Sequence, residues 1–101
     1  MDLLELRLRS QSLAQDRGGH NRWEIRIAEA RLVPAQTAII ICDMWDSHWS
    51  RGARERVDAM APRMNKVLGA ARARAVQIIH APSDTMAFYA GMPARERIQS
   101  I

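Results

Sequence analysis

The sequence predicts a mixed α/β fold, in which part of a three-layer parallel sheet follows an N-terminal antiparallel β-hairpin. Two segments before Pro34 alternate between apolar and polar residues, as strands with one buried face do. Two short, largely apolar runs, 38–42 and 76–80, lie on either side of a segment with helical spacing. Strand, helix and strand in this order are typical of a βαβ unit.

Residues 1–34 are expected to form the hairpin as an N-terminal extension with one apolar face. Residues 4–9 and 23–28 both have the period of two that a strand requires. The segment 17–21 between them, Arg-Gly-Gly-His-Asn, is a turn cluster because glycine tolerates positive φ. The apolar residues of the two runs are Leu4, Leu6, Leu8, Trp23, Ile25 and Ile27. A two-stranded ribbon is marginally stable alone, so we expect it to lie on another surface.

Residues 35–101 are expected to form the first βαβ part of a second domain. The run from Ala38 to Cys42 is apolar on both faces, which predicts a strand covered on both sides. A polar loop and a helix follow, and the helix carries an apolar stripe with spacings of three or four. Pro62 lies inside this stripe, so the helix either starts near it or is kinked there. The stripe consists of Val57, Met60, Met64, Val67, Leu68 and Ala71.

The second strand is predicted at Val76–His80, followed by a loop from Ser83 to Met92 and a last helical turn that Pro93 begins. Two parallel strands with one helix leave sheet edges unpaired and at least one face uncovered. Doubly wound sheets solve this with further strands and helices on both faces. We therefore expect the domain to be truncated.

Composition excludes several classes of protein. The 101 residues carry a formal net charge of +4, but the basic residues are almost all Arg and are spread along the whole chain. A nucleic-acid interface would cluster them on one face. No apolar run approaches the roughly 20 residues that cross a bilayer, and residues 1–5 do not resemble a signal peptide. The single cysteine, Cys42, cannot form an internal disulfide, which favours a reduced, cytoplasmic setting.

Asp43 is the strongest candidate for chemistry. It stands at the carboxyl end of the first buried strand, where open α/β sheets bind their ligands. A carboxylate after an apolar run is costly to bury unless it is paired or functional. Side chains alternate between the two faces of a strand, so Asp43 is expected on the face of Ile39 and Ile41. Cys42 is then expected on the opposite face. We therefore interpret Cys42 as a small buried residue.

The stretch Thr37–Asp46, Thr-Ala-Ile-Ile-Ile-Cys-Asp-Met-Trp-Asp, resembles the opening signature of the isochorismatase-like hydrolases, a cysteine hydrolase family that includes nicotinamidases. That signature is an apolar strand ending in Asp-Met. Residues 64–68 and 76–80 are similar to the family's first helix and second strand, so the resemblance runs from about Thr37 to the end. It implies a Rossmann-like three-layer fold. Trp45 stands where the family more usually has Gln.

The resemblance implies hydrolysis of a small amide or related compound, with Asp43 as the general base. In the family the aspartate takes a thiol proton, a lysine stabilises the charges, and the thiolate forms a thioester that water hydrolyses. Lys66 and Cys42 do not match the family's lysine and nucleophile. We therefore expect an N-terminal portion that is inactive alone. Isochorismatases proper lack the thiol and cleave a vinyl ether, so its absence does not exclude the family.

Four further residues are predicted to bind substrate. Trp45 and Trp49 flank the loop after the first strand and form either an apolar wall for a ring-shaped substrate or packing residues. Asp46 matches the later acid of the family motif. His80 ends the second strand and is expected to line the cleft as a hydrogen-bonded polar group.

No metal and no cofactor is expected. Family members that bind zinc or iron use an Asp-x-His pair after the second strand. Here Asp84 falls in that neighbourhood, but Met86 occupies the place of the histidine. Asp46 and His48 have suitable spacing but follow the first strand instead. We interpret His48 as a residue that makes hydrogen bonds within its loop.

Two other functions compete with the hydrolase. In the first, the chain is a non-catalytic interaction module that assembles through its exposed sheet edge. In the second, the Arg-rich surface and the Trp residues bind single-stranded nucleic acid. The hydrolase reading predicts a small-molecule substrate and, as further partners, a second copy of the chain or a complementing C-terminal polypeptide. It predicts neither a nucleic acid nor a membrane as partner.

Overall fold

The computed structural model describes residues 2–101 and has a mixed α/β fold with an antiparallel hairpin and a small parallel sheet. The chain divides into two compact units, one ending at Thr37 and the other running from Ala38 to Ile101. The first holds strands β1 (Leu4–Gln15) and β2 (Asn21–Leu32) and a short 3-10 turn (Pro34–Gln36). The second holds β3 (Ala38–Cys42), α1 (Arg51–Ala73), β4 (Gln77–Ala81), α2 (Met86–Tyr89) and α3 (Pro93–Gln99).

The predicted hairpin is present, and its strands extend further toward the turn than the alternation indicates. The backbone N–H of Asp16 donates to the carbonyl of His20 at 2.9 Å, and the N–H of Gly19 donates to the carbonyl of Asp16 at 3.1 Å. Gly19 has a φ of 79°, as a three-residue hairpin loop requires. The Asp16 carboxylate also accepts the N–H of Gly18 at 2.9 Å and that of His20 at 3.0 Å.

The single apolar face expected for this hairpin is wrong. Leu8 lies opposite Ala28 in the register, whereas Trp23 lies opposite Leu13 and Ile27 lies opposite Arg9. Directly opposed residues share a face and successive residues alternate. Even-numbered residues therefore occupy one face and odd-numbered residues the other, so Leu4, Leu6 and Leu8 of β1 lie on the face opposite to Trp23, Ile25 and Ile27 of β2. The length of the turn decides this parity.

The predicted βαβ unit is confirmed, because β3 and β4 pair in parallel from Ala38 opposite Gln77 to Cys42 opposite Ala81. Its core is small and consists of Ile41, Leu68, Ala71 and Val76. The expectation that β3 is covered on both sides is wrong, since Ile40 is 61% exposed. Cys42, which shares that side, is also exposed, so its interpretation as a small buried residue is wrong as well.

Helix α1 begins at Arg51, well before Pro62, so the alternative in which it starts near the proline is wrong. The Ser50 hydroxyl caps it by accepting the N–H of Ala53 at 3.4 Å. The buried stripe is narrower than predicted, because Met60 and Val67 are exposed. Residues at the edge of an amphipathic stripe stay exposed when only one face of a sheet packs against the helix.

The C-terminus of α1 ends in a left-handed residue. Ala75 has a φ of 64°. Its N–H donates to the carbonyl of Arg72 at 3.0 Å, and the N–H of Val76 donates to the carbonyl of Ala71 at 3.1 Å. This pair of hydrogen bonds is a Schellman motif, in which glycine usually takes the left-handed position.

The segment predicted as a loop from Ser83 to Met92 contains the short helix α2, a correction to the sequence prediction. The N–H of Tyr89 donates to the carbonyl of Thr85 at 3.2 Å and closes this single turn. The last helical turn predicted after Pro93 is confirmed as α3. Among residues 2–101, no helix is long and apolar enough to cross a membrane.

Candidate functional site

An open groove of about 370 Å³ lies in the second unit, at the carboxyl ends of the parallel strands and along α1. Apolar side chains from β3 and α1 form part of its wall, and carboxylate, amide and imidazole groups supply polar positions. The lining residues are Ile41, Met44, Trp45, Asp46, Val57, Asp58, Ala61, Met64, Asn65, Leu68 and His80. A mostly apolar groove with a few polar groups is typical of a small-molecule site.

Asp43 follows β3 directly and has a left-handed backbone with a φ of 57°. Aspartate is among the few residues that tolerate this conformation. Its Oδ1 accepts the backbone N–H of Ser83 at 2.8 Å. Ser83 stands two residues beyond the end of β4, so this hydrogen bond joins the segments that follow the two parallel strands.

The Asp43 carboxyl is held in its charged form. The backbone N–H of Ser83, followed by the Ser83 side chain, lowers the pKa of Asp43 below its ordinary value of 3.8. Desolvation acts in the opposite direction, and the charge of His48 contributes a further lowering of this pKa. Hydrogen bonds donated to a carboxylate favour its ionised state. Asp43 is therefore a carboxylate at neutral pH.

Trp45 also bonds to the backbone of Ser83, at its carbonyl group. The indole Nε1–H of Trp45 donates to the carbonyl of Ser83 at 3.1 Å. The N–H and the C=O of Ser83 are therefore both bonded to residues of the loop after β3. Ser83 was not predictable from the sequence, because a serine in a loop carries no periodic signal. Its one visible signal is its place just after a predicted strand.

An aromatic stack follows Trp45 along the loop. The rings of Trp45 and His48 stack with centroids 5.0 Å apart and planes at 17°, and His48 lies 4.9 Å from the ring of Trp49. The Nδ1 of His48 accepts the N–H of Ser50 at 2.9 Å, which confirms His48 as a residue that makes hydrogen bonds within its loop. Trp49 is 93% exposed and does not line the groove.

The structure brings together three of the four residues predicted to bind substrate. Trp45, Asp46 and His80 all line the groove. Asp43 lies beside it in the chain, next to the lining residue Met44, but does not itself line it. Neither Cys42 nor Lys66 lines the groove.

Helix α1 contributes two polar groups to the groove, Asp58 and Asn65, that were not predicted from the sequence. These two residues, with Ala61 between them and Leu68 beyond, have spacings of three or four along the helix. Such positions share one helix face. Reading the polar residues beside the apolar stripe would have found them.

Metal ligands do not converge in the part of the chain that the structure describes. In residues 2–101, no three side chains of His, Cys, Asp or Glu are close enough together to hold an ion. Asp84 shares the left-handed φ of 57° with Asp43, and Met86 begins α2 beside it.

Comparisons of the chain with protein-family models, with curated proteins and with solved structures find no match.

Proposed function

We propose that this chain supplies the aspartate-bearing part of an isochorismatase-like hydrolase, which acts on a small amide or related compound. The observation that carries the proposal is the position of the Asp43 carboxylate, which accepts the Ser83 N–H at 2.8 Å at the carboxyl end of β3. Asp43 directly precedes Met44, which lines the groove together with Trp45, Asp46 and His80. The strand-to-loop junction Cys42-Asp43-Met44 occupies the position at which parallel α/β sheets place catalytic groups.

In this proposal Asp43 accepts the proton of a thiol. The thiolate then attacks the carbonyl carbon of the substrate, and the carbon–nitrogen bond breaks as the amine leaves with the proton that Asp43 accepted. Water hydrolyses the resulting thioester, which releases the carboxylic acid and restores the thiol. Ser83 and Trp45 fix the position of the acceptor, since Ser83 binds the carboxylate and Trp45 binds Ser83. The thiol and the lysine come from a complementing C-terminal polypeptide segment, because Cys42 and Lys66 lie outside the groove.

The groove supports a small substrate with a flat apolar part. Its volume of about 370 Å³ falls within the usual range for small-molecule sites, roughly 300–1,000 Å³. The Trp45 ring offers an apolar surface, while Asp46 and His80 offer hydrogen-bonding groups. An amide attached to a small ring meets both kinds of contact.

A Rossmann-like three-layer fold is the architecture in which this site would be complete. The uncovered side of β3, where Ile40 is 61% exposed, supports it because doubly wound sheets pack helices on both faces. Further strands would pair with the free edges of the β3–β4 sheet. The exposed and unpaired Cys42 thiol fits a reducing compartment, and we propose the cytoplasm.

The test continues the open reading frame past codon 101 and assays the resulting polypeptide for release of ammonia from small aromatic amides. We expect Asp43→Asn to lower kcat/KM by about 10²–10⁴-fold, the usual contribution of a general base. Asp84→Asn is the matched control, because Asp84 also has a φ of 57° but lies in the segment after β4 and not at the carboxyl end of β3. Hydrolysis that survives Asp43→Asn would overturn the role of Asp43. A continuation that encodes neither a lysine nor a cysteine after later strands would contradict the thiol mechanism.

A further inference from the structure

Three five-residue segments of the first unit share one pattern, in which apolar residues alternate with a Glu and then an Arg. They are residues 4–8 (Leu-Glu-Leu-Arg-Leu), 23–27 (Trp-Glu-Ile-Arg-Ile) and 28–32 (Ala-Glu-Ala-Arg-Leu). The pattern is complementary to itself in antiparallel pairing, because reversing one copy sets each Glu opposite an Arg. Each apolar residue then also faces an apolar one.

The hairpin already contains one such pairing. Segment 4–8 lies opposite segment 28–32, so Glu5 faces Arg31 and Arg7 faces Glu29. The Nε of Arg31 lies 3.5 Å from an Oε1 of Glu5. Cross-strand pairs of opposite charge stabilise an antiparallel sheet.

Segment 23–27 has no such counterpart within the hairpin. Glu24 faces Ser12 and Arg26 faces Ser10 across the ladder. The ion pair of Glu24 is with Arg22 on its own strand, at 3.2 Å, and not with a residue of β1. Its apolar residues are also poorly covered, with Trp23 64% exposed and Ile25 and Ile27 each 55% exposed. The third copy of the pattern is therefore left without the partner that the first two find in each other.

The free edge of β2 presents this segment for pairing. The Asp16 N–H donates across the hairpin to His20, and inward and outward backbone groups alternate along an antiparallel strand. The even-numbered residues of β2 therefore bond to β1, whereas Trp23, Ile25 and Ile27 direct their N–H and C=O groups outward. In the described part of the chain the hairpin sheet has two strands, so this edge is unpaired.

We propose that a second copy of this chain adds across the free edge of β2 in the antiparallel direction, with a two-fold axis at Ile25. Glu24 then faces Arg26 of the partner subunit, and by symmetry the same pair forms a second time. Trp23 faces Ile27 of the partner subunit, and Ile25 faces its own symmetry mate. The result is a four-stranded antiparallel sheet with a self-complementary interface.

The sequence favours this register over those in which the two-fold axis lies one or two residues away. An axis at Glu24 or at Arg26 sets like charges directly opposite each other, which destabilises a sheet. An axis at Ile27 sets Ile25 opposite a glutamate. An axis at Trp23 pairs Glu24 with Arg22 of the partner subunit, but it sets Ile25 opposite Asn21 of the partner subunit.

The assembly also removes a weakness of the hairpin. A two-stranded ribbon is marginally stable, and three or more strands with an apolar face are needed for independent stability. Edge strands usually carry charges that repel a second strand. Here the edge charges attract a copy of themselves. The inference concerns the first unit alone and does not depend on the proposed hydrolase activity.

Charge exchange tests the proposal. Sedimentation of the unaltered chain over a range of concentrations should show a reversible dimer. Glu24→Arg and Arg26→Glu should each raise the dissociation constant about tenfold or more, because two attractive pairs become repulsive. The double exchange should restore the original value, since each Arg would again face a Glu.

Arg9→Glu is the matched control for Arg26→Glu. Both substitutions lower the net charge by the same amount, but Arg9 lies on β1, away from the free edge of β2. We expect Arg9→Glu to leave the dissociation constant within about threefold. A larger loss for Arg22→Glu than for Arg26→Glu would overturn the register in favour of an axis at Trp23. Failure of the double exchange to restore the dimer, or a monomer at every concentration, would overturn the interface.

Disulfide trapping tests the axis directly. In a Cys42→Ser background, Ile25→Cys places two thiols opposite each other in a hydrogen-bonded pair, about 5.5 Å apart between Cα atoms. This spacing suits a disulfide, so oxidised glutathione should link the two copies rapidly. Ile27→Cys is the control, because its two copies would be about 13 Å apart along the strand. Equal trapping at both positions, or none at residue 25, would overturn the proposed axis.

Discussion

Asp43 and Ser83 lie 40 residues apart in the sequence, and the Asp43 carboxylate accepts the Ser83 backbone N–H at 2.8 Å. Asp43 follows β3 and Ser83 follows β4, so the bond connects the two loops that leave the parallel sheet at the same edge. It also orients the carboxylate and keeps it charged. The position of the candidate base is thus set by a backbone group of the neighbouring strand's loop.

Substitution of Asp43 should separate its structural role from its charge. Asn keeps an oxygen acceptor for the Ser83 N–H and tolerates a left-handed φ, whereas Ala provides neither. We therefore expect Asp43→Ala to lower the melting temperature clearly more than Asp43→Asn does. Thermal unfolding followed by circular dichroism measures the difference, and equal melting temperatures for the two variants would show that the hydrogen bond has no structural role.

The pH dependence of the Asp43 site follows from the direction of its pKa shift. A lowered pKa in the folded state means that the charged form stabilises the fold above the ordinary pKa. This stabilisation is lost as the pH falls through the lowered value. The Ser83 amide resonance, followed by NMR, should titrate with a midpoint below 3.8. Asp43→Asn should abolish the transition, while a midpoint at or above the ordinary value would refute the hydrogen-bond account.

Trp45 should contribute to stability through its indole N–H. Trp45→Phe keeps an aromatic ring beside His48 but removes the donor to the Ser83 carbonyl. We expect a loss of about 0.5–1.5 kcal/mol in the free energy of unfolding, the usual net value of one hydrogen bond. Denaturant unfolding provides the measurement. Trp49→Phe is the control, because Trp49 is almost fully exposed, and a loss as large as that of Trp45→Phe would argue against the hydrogen bond as the cause.

The end of α1 offers a stabilising substitution. Ala75 has a φ of 64°, a conformation that costs a residue with a Cβ about 1–2 kcal/mol. Because glycine in turn loses more entropy on folding, we expect Ala75→Gly to stabilise the fold by about 0.5–1 kcal/mol. Ala73→Gly, inside the last helical turn, should instead destabilise it by up to about 1 kcal/mol. Chemical denaturation of both variants checks this, and the reverse order of stabilities would contradict it.

The sequence predicted the positions of the strands better than it predicted which of their faces are buried. Alternation and apolar runs depend on neighbouring residues alone, which is why β3, β4 and the position of Asp43 at a strand end were predictable. The faces of the hairpin were not, because the parity that separates Leu8 from Trp23 depends on the length of the turn. The exposure of Cys42 was not predictable either, since it depends on which sheet face is covered.

The residues of the candidate site were likewise predictable only in part. Trp45 was selected because it flanks the loop after β3, Asp46 because it matches the family motif and His80 because it ends a predicted strand. All three line the groove. Ser83 was missed because its contact with Asp43 depends on how far two separate loops reach. The exposure of Trp49 depends on the path of the loop before α1, on which the spacing of aromatic residues gives no information.

Binding of a small aromatic amide to the 101-residue chain tests the central claim most directly. Benzamide, titrated into the isotope-labelled protein and followed by NMR, should shift the Trp45 indole resonance and the Asn65 side-chain amide. The Asp16–His20 turn of the hairpin serves as the internal reference and should not move. Saturable shifts confined to the residues that line the groove would support a small-molecule site beside Asp43. Shifts absent up to the solubility limit of benzamide, or spread evenly over the chain, would contradict it.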